Sequence, residues 1–276
     1  MAKDHWSSAA YNSAANFVPQ LTSKVVAYLD VQPTDHILDL GCGDGTLTYQ
    51  LAAAAPQGRV LGLDNSASFI STAQEKHTTP NSTYRHVDCS KLSSCPDAID
   101  GSWDKVFSNA AMHWILRDPS IRHPFFADVH KALKPGGKFV FEQGGAGNVA
   151  EAHAAAISAL IHAGVPVAEA YEASPWFFPS PDWMRGALEK AGFEVEVCEL
   201  EYRPTKLTAE SGGSGAGLEG WVRLMCAQFL DAVEDGKRDA VAREICTVLE
   251  PVVTRGEDGS RWMGYCRLRA VARKKA

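Results

Sequence analysis

The stretch His36-Ile37-Leu38-Asp39-Leu40-Gly41-Cys42-Gly43-Asp44-Gly45 decides the fold. Its first five residues form a short apolar run that ends in glycines, the pattern of a buried strand. Residues 46–55 follow with a helical pattern. A second run, Arg59-Val60-Leu61-Gly62-Leu63, stops at Asp64, and Ser66 is placed to cap a helix that continues towards His77. Strand, glycine turn, helix and strand complete a βαβ unit by Asp64.

Outward from this unit the alternation continues. Tyr84-Arg85-His86-Val87 reads as a third strand, Lys105-Val106-Phe107-Ser108 as a fourth and Lys138-Phe139-Val140-Phe141 as a fifth, with residues 125–133 helical before the last. Lys134-Pro135-Gly136-Gly137 reads as the turn that stops that helix and starts strand five. Strands that are apolar along their length and separated by helices imply a parallel sheet covered on both faces, an α/β class. Beyond residue 145 the pattern changes to helices at 149–163 and 181–191 and a strand at 193–202. Residues 211–217, Ser-Gly-Gly-Ser-Gly-Ala-Gly, read as a mobile loop. Helices at 218–233 and 237–249 and a final strand from 262 to about 272 close the chain, and no internal repeat is present.

With 276 residues, 45% of them hydrophobic and 22% charged, the composition is that of a folded domain able to bury a large core. The formal charge is −6, and Arg273-Lys274-Lys275 is the one basic cluster, so the positive footprint that nucleic acid requires is missing. The seven cysteines (Cys42, Cys89, Cys95, Cys198, Cys226, Cys246, Cys266) are odd in number and form no CxxC, which fits buried thiols in a reducing compartment. The nine histidines show neither HExxH nor close Cys/His spacing, so no metal is expected. Residues 1–20 lack the apolar core of a signal peptide, and the most apolar later stretch, 154–168, is too short to span a bilayer. These features point to the cytoplasm, no membrane partner, and a monomer or homodimer.

The glycine loop lies between the first strand and first helix, where an open parallel sheet places its ligand crevice. Glycines allow the backbone to approach a ligand, and amides at the following helix N-terminus face it. Asp64 ends the second strand about twenty residues on, where a carboxylate accepts hydrogen bonds from both ribose hydroxyls. Together these describe a nucleoside-binding site. A dinucleotide enzyme would share the layout, but the third glycine of GxGxxG falls at position 46, which is Thr.

On Leu38-Asp39-Leu40-Gly41-Cys42-Gly43-Asp44-Gly45 the sequence resembles the class I S-adenosylmethionine-dependent methyltransferases, over roughly residues 31–145. The resemblance implies an α/β, Rossmann-like, seven-stranded, mostly parallel sheet with helices on both faces and an added helical lid. It implies S-adenosyl-L-methionine as cofactor and S-adenosyl-L-homocysteine as product. By the same resemblance the loop with Gly41, Gly43 and Gly45 lies under the methionine part, Asp64 holds the ribose and Asp88 the adenine amine beside the Cys89 amide, with Asp39, Cys42 and Asn65 also in the cofactor-binding set. Within the class, Phe107-Ser108-Asn109-Ala110-Ala111-Met112-His113-Trp114-Ile115 is similar to the segment after strand four in the trans-aconitate methyltransferase-like small-molecule group. Trp6, Tyr11 and Phe17, and Pro175-Trp176-Phe177-Phe178, are similar to that group too, which adds Asn109 and Tyr11 to the cofactor set.

Methyl transfer from a sulfonium is an in-line displacement that needs exact positioning in a dry site, so a lid is expected. The expected organisation is an N-terminal helical cap at 1–30, a cofactor-binding core at 31–147, and at 148–276 the remaining strands with an inserted helical substrate lid, one structural domain overall. Trp176, Phe177, Phe178, Trp183 and Trp221 are candidates to wall a pocket, with Trp114 and Arg117 beside them. His113 is the best-placed base for a hydroxyl or thiol. A carboxylate acceptor needs no base, and His113 or Asn109 would then donate a hydrogen bond while Arg117 or Arg122 binds the acid. Packing beside Trp114 is the plain alternative for His113, a surface pair with Asp118 that for Arg117, and a structural role that for Glu142. The expected function is methylation of an oxygen, carboxylate or hydroxyl, of an organic acid or secondary metabolite. An NAD-type oxidoreductase and a non-catalytic cofactor-binding scaffold stay open as alternatives.

Overall fold

A computed structural model of the chain describes residues 22–208 and 215–276. Tyr11, with Trp6 and Phe17, therefore lies outside the described residues, as does most of the Ser-Gly segment. Backbone contacts divide the described chain into two units: 22–146 with 177–201 and 267–276, and 147–176 with 202–266.

The first unit is built on a seven-stranded sheet. Its strands are β1 (His36–Leu40), β2 (Arg59–Asp64), β3 (Ser82–His86), β4 (Trp103–Asn109), β5 (Leu133–Gly144), β6 (Phe193–Tyr202) and, after a short β7 (Thr205–Lys206) and β8 (Trp262–Met263) that belong to the other unit, β9 (Cys266–Lys274). The order across the sheet is β3-β2-β1-β4-β5-β9-β6. Strands β1 to β5 pair in parallel, with Ile37 opposite both Val60 and Lys105, and β9 runs antiparallel to β5, with Val140 opposite Val271.

Side chains alternate across a strand, and the two faces of this sheet are separate cores. Leu38, Leu40, Val106, Phe139, Phe141 and Leu268 pack on one side against helices Arg122–Ala132 and Pro181–Lys190. Ile37, Val60, Phe107, Val140 and Val271 pack on the other against Ser23–Leu29 and Thr46–Ala54. Burying each such side chain contributes about 1.5–3 kcal/mol, which explains why these strands are apolar on consecutive positions. Ser66 caps Ala67–Lys76, its side chain accepting from the Phe69 N–H as its position suggested.

Three details differ from the sequence reading. Lys134–Gly137 does not precede strand five but bulges within it: Trp103 pairs with Leu133 and Lys105 with Lys138, so six residues of β5 oppose three of β4. The apolar helix at 218–233 is broken at Cys226 into Gly217–Met225 and Ala227–Leu230. The closing strand is interrupted between Met263 and Cys266, where the Gly264 N–H turns to the Glu151 carboxylate at 2.6 Å instead of a strand partner.

The second unit is mainly helical, with Ala150–His162, Val167–Glu172 and Asp235–Val253 as further helices. Trp221, 1% exposed, donates its indole N–H to the Tyr265 hydroxyl over 2.8 Å. Trp176 packs on His153 and Phe229, with ring centroids 5.6 and 5.5 Å away. All seven cysteines are free thiols, three of them buried. Among the described residues no helix is long and apolar enough to cross a membrane, and no His/Cys/Asp/Glu group is arranged to hold a metal.

Candidate active site

At the carboxyl end of β1 the chain turns through glycines in the left-handed region, with φ of 77° at Gly41, 56° at Gly43 and 85° at Gly45. The Gly41 and Cys42 N–H groups both donate to the Leu63 carbonyl, at 2.8 and 3.0 Å, which fastens the loop to β2. The Gly43 N–H donates to Asp64 Oδ2 and the Ser66 N–H to Asp64 Oδ1, each at 2.9 Å. A Cβ on Gly41 would stand 2.1 Å from that of Ala111, and one on Gly45 would stand 2.8 Å from that of Ala73. A Cβ on Gly43 would meet nothing within 4 Å. Packing thus requires the outer two glycines, whereas the middle one borders open space beside a carboxylate.

The Val87 N–H donates to the Asp64 carbonyl at 2.9 Å, bringing the end of β3 to the same edge. Asp88 caps the turn Cys89–Ser94, accepting from the Ser90 N–H and hydroxyl at 3.0 and 2.6 Å. Asn65 is exposed, its carbonyl 2.9 Å from the His86 ring. Cys42 and Cys89 are buried, and burial pushes both thiols up, so neither supplies a thiolate. Asp39 shares the Ile37 face and accepts the Thr48 hydroxyl at 2.6 Å inside the helix packing; burial pushes its carboxyl up to about 7.

Strand β4 ends at Asn109, whose Oδ1 is buried without a hydrogen-bond partner among the described residues. Ala110 takes φ 56°, strained for a residue with a Cβ, and its N–H donates to the Glu142 carbonyl at 2.8 Å. The short helix Met112–Ile115 then carries His113, 6% exposed. The Gly144 N–H donates to His113 Nδ1 at 3.4 Å, so the ring hydrogen sits on Nε2. Burial, and next the charge of Arg267, push the imidazole down to about 3. Arg267 is itself 5% exposed and is the cross-strand partner of Gly144. His113 therefore stays neutral at physiological pH and presents a donor. Its ring lies 5.4 Å from Trp114 and 5.6 Å from Phe178.

The remaining candidates are more scattered. Arg117 is exposed. Arg122 donates to the Leu116 carbonyl at 2.9 Å and covers the Phe177 ring at 3.5 Å, and the Trp183 ring meets that of Phe177 edge-on with centroids 4.8 Å apart, so Phe177 is a packed residue. Glu142 is buried against Arg269 at 2.6 Å. Trp176 and Trp221 belong to the helical unit. Sequence reasoning did not single out Gln143 or Arg267; the available signal was a polar residue closing a strand that is otherwise buried.

Residues 37–137 match a family model described as a methyltransferase domain. The chain is 36% identical over 275 residues to an uncharacterized methyltransferase of Schizosaccharomyces pombe, covering 100% of both chains. It is 24% identical over 280 residues to a trans-aconitate 2-methyltransferase of Delftia acidovorans, covering 98% of each. A solved structure described as a putative methyltransferase from Bacillus halodurans superposes with a TM-score of 0.60 at 17% identity, over 93% of this chain and 100% of that one.

Proposed function

The chain belongs to the class I S-adenosylmethionine-dependent methyltransferases, and on that premise we propose that it methylates a carboxylate oxygen of a small organic acid. S-adenosyl-L-methionine, its methyl donor, supplies an electrophilic methyl group when bound. The residues present fit that group: open space at Gly43, a carboxylate at Asp64 oriented by two amides, and the buried acceptor Asn109 Oδ1. A carboxylate oxygen has more than one lone pair, so Asp64 can accept ribose hydroxyls while it keeps its amides. Asp88 and the Cys89 amide take the adenine edge, and Asn109 the amino-acid end.

One observation carries the choice of acceptor. His113 is neutral, with Nδ1 occupied by the Gly144 N–H. A ring so held is a poor proton acceptor near neutral pH, so a hydroxyl acceptor would lack a base there, whereas a carboxylate needs none. His113 Nε2–H then orients the acid, and the nearby Arg267 favours its negative charge. The similarity to a trans-aconitate 2-methyltransferase supports the same reading.

Enzyme incubated with methyl-labelled S-adenosylmethionine and a cell extract, followed by mass spectrometry, tests it. The expected product is a methyl ester that releases labelled methanol in mild base. A base-stable ether, amine or thioether product would overturn the carboxylate assignment while leaving the methyltransferase class intact.

A further inference from the structure

Gln143 is 0% exposed, and neither Nε2 nor Oε1 of its carboxamide has a hydrogen-bond partner among the described residues. Burying an amide with both ends unbonded is unfavourable, and an apolar residue of similar size would remove that cost. The amide stands at the carboxyl end of a central strand, the edge where open α/β sheets take their ligands. It continues the file of Phe139 and Phe141 along β5. The peptide that follows it supplies the N–H donated to His113 Nδ1.

We propose that Gln143 is a specificity-determining residue whose carboxamide N–H binds an oxygen of the acceptor carboxylate, beside the His113 Nε2–H. This rests on the carboxylate reading above. A carboxamide N–H and an imidazole N–H leave an amine with no acceptor, and they bind a carboxylate more strongly than a neutral carbonyl because the acceptor is charged. Because Gln143 is enclosed, the anion reaches it through local opening, and the bond forms away from bulk water, where it is strongest.

The test uses the full-length protein saturated with S-adenosylhomocysteine, with acetate, malonate, succinate and benzoate as probes and succinamide as the uncharged control. The Gln143 side-chain NH2 signals are assigned in the 15N–1H spectrum by their loss in Gln143→Leu. At least one carboxylate should shift that pair, succinamide should not, and Gln143→Leu should weaken the binding about tenfold or more. The variant should melt no lower than wild type and bind S-adenosylhomocysteine equally. Gln143→Met serves in its place if the leucine variant does not fold. Equal carboxylate affinity in wild type and variant overturns the inference but not the carboxylate reading. So does an NH2 pair that contacts only a long-lived water and ignores every probe while esters still form. If no probe binds wild type and the product is not an ester, both fall together.

Discussion

Gly43 donates its backbone N–H to Asp64 Oδ2 over 2.9 Å, so the loop after β1 and the acid that ends β2 are one bonded unit. Asp64 also receives the Ser66 N–H, and so it organises both the glycine loop and the entry to the next helix.

Asp64→Ala removes a charged acceptor from two backbone donors, and hydrogen bonds to charged groups contribute about 1.5–3 kcal/mol each. S-adenosylhomocysteine affinity should fall about tenfold or more, with a small drop in melting temperature because the loop loses its tether. Isothermal titration calorimetry reads the first and thermal denaturation the second. Unchanged affinity would remove Asp64 from the cofactor site.

The outer and middle glycines should fail differently. Gly41→Ala forces a 2.1 Å approach to the Ala111 Cβ at φ 77°, and so should lower the melting temperature sharply. Gly43→Ala meets no atom within 4 Å, so its stability cost is the left-handed backbone alone, about 1–2 kcal/mol. The methyl instead enters the open space, and S-adenosylhomocysteine affinity should fall more than stability does. A folded Gly43→Ala protein with wild-type affinity would place the cofactor elsewhere.

His113 sets a pH signature. Its folded value of about 3 lies below the ordinary 6.5, so as pH falls from 6.5 towards 3 the unfolded chain takes up a proton that the folded ring refuses. Stability from this group is therefore lost on acidification across that window, at up to ~1.4 kcal/mol per pH unit. His113→Gln should flatten the pH dependence of urea denaturation between pH 3 and 6.5. The wild-type rate should show no ionisation near 6.5; a limb there that disappears in the variant would restore His113 as a base.

Asp39 acts in the opposite sense. Burial raises its folded value to about 7 from 3.8, so the native state holds the proton more tightly than the unfolded chain. The stability it confers is complete below pH 3.8 and is lost as pH rises through 7. Asp39→Asn keeps an oxygen for the Thr48 hydroxyl and carries no charge, so it should be more stable than wild type at pH 8 and lose that advantage towards pH 4. Parallel denaturation curves at all pH values would show that Asp39 is ionised when folded.

The βαβ unit, the glycine loop, Asp64 and the alternation of buried strands were legible in the sequence because each rests on neighbours in the chain. A strand declares itself by a continuous apolar run, a tight turn by its glycines, and a helix start by a capping serine such as Ser66. What the tertiary structure decided is what distant segments do to one another. Asp39 belongs to the same motif as Gly41 yet turns inward to Thr48, because side-chain direction alternates along a strand. His113 resembles a catalytic base in sequence, but the Gly144 amide takes its Nδ1 and Arg267, more than 150 positions further on, adds a positive charge beside it. Local pattern sets which elements form; protonation, hydrogen-bond satisfaction and the fate of Gln143 depend on burial and cross-strand register, which exist only once the sheet has closed.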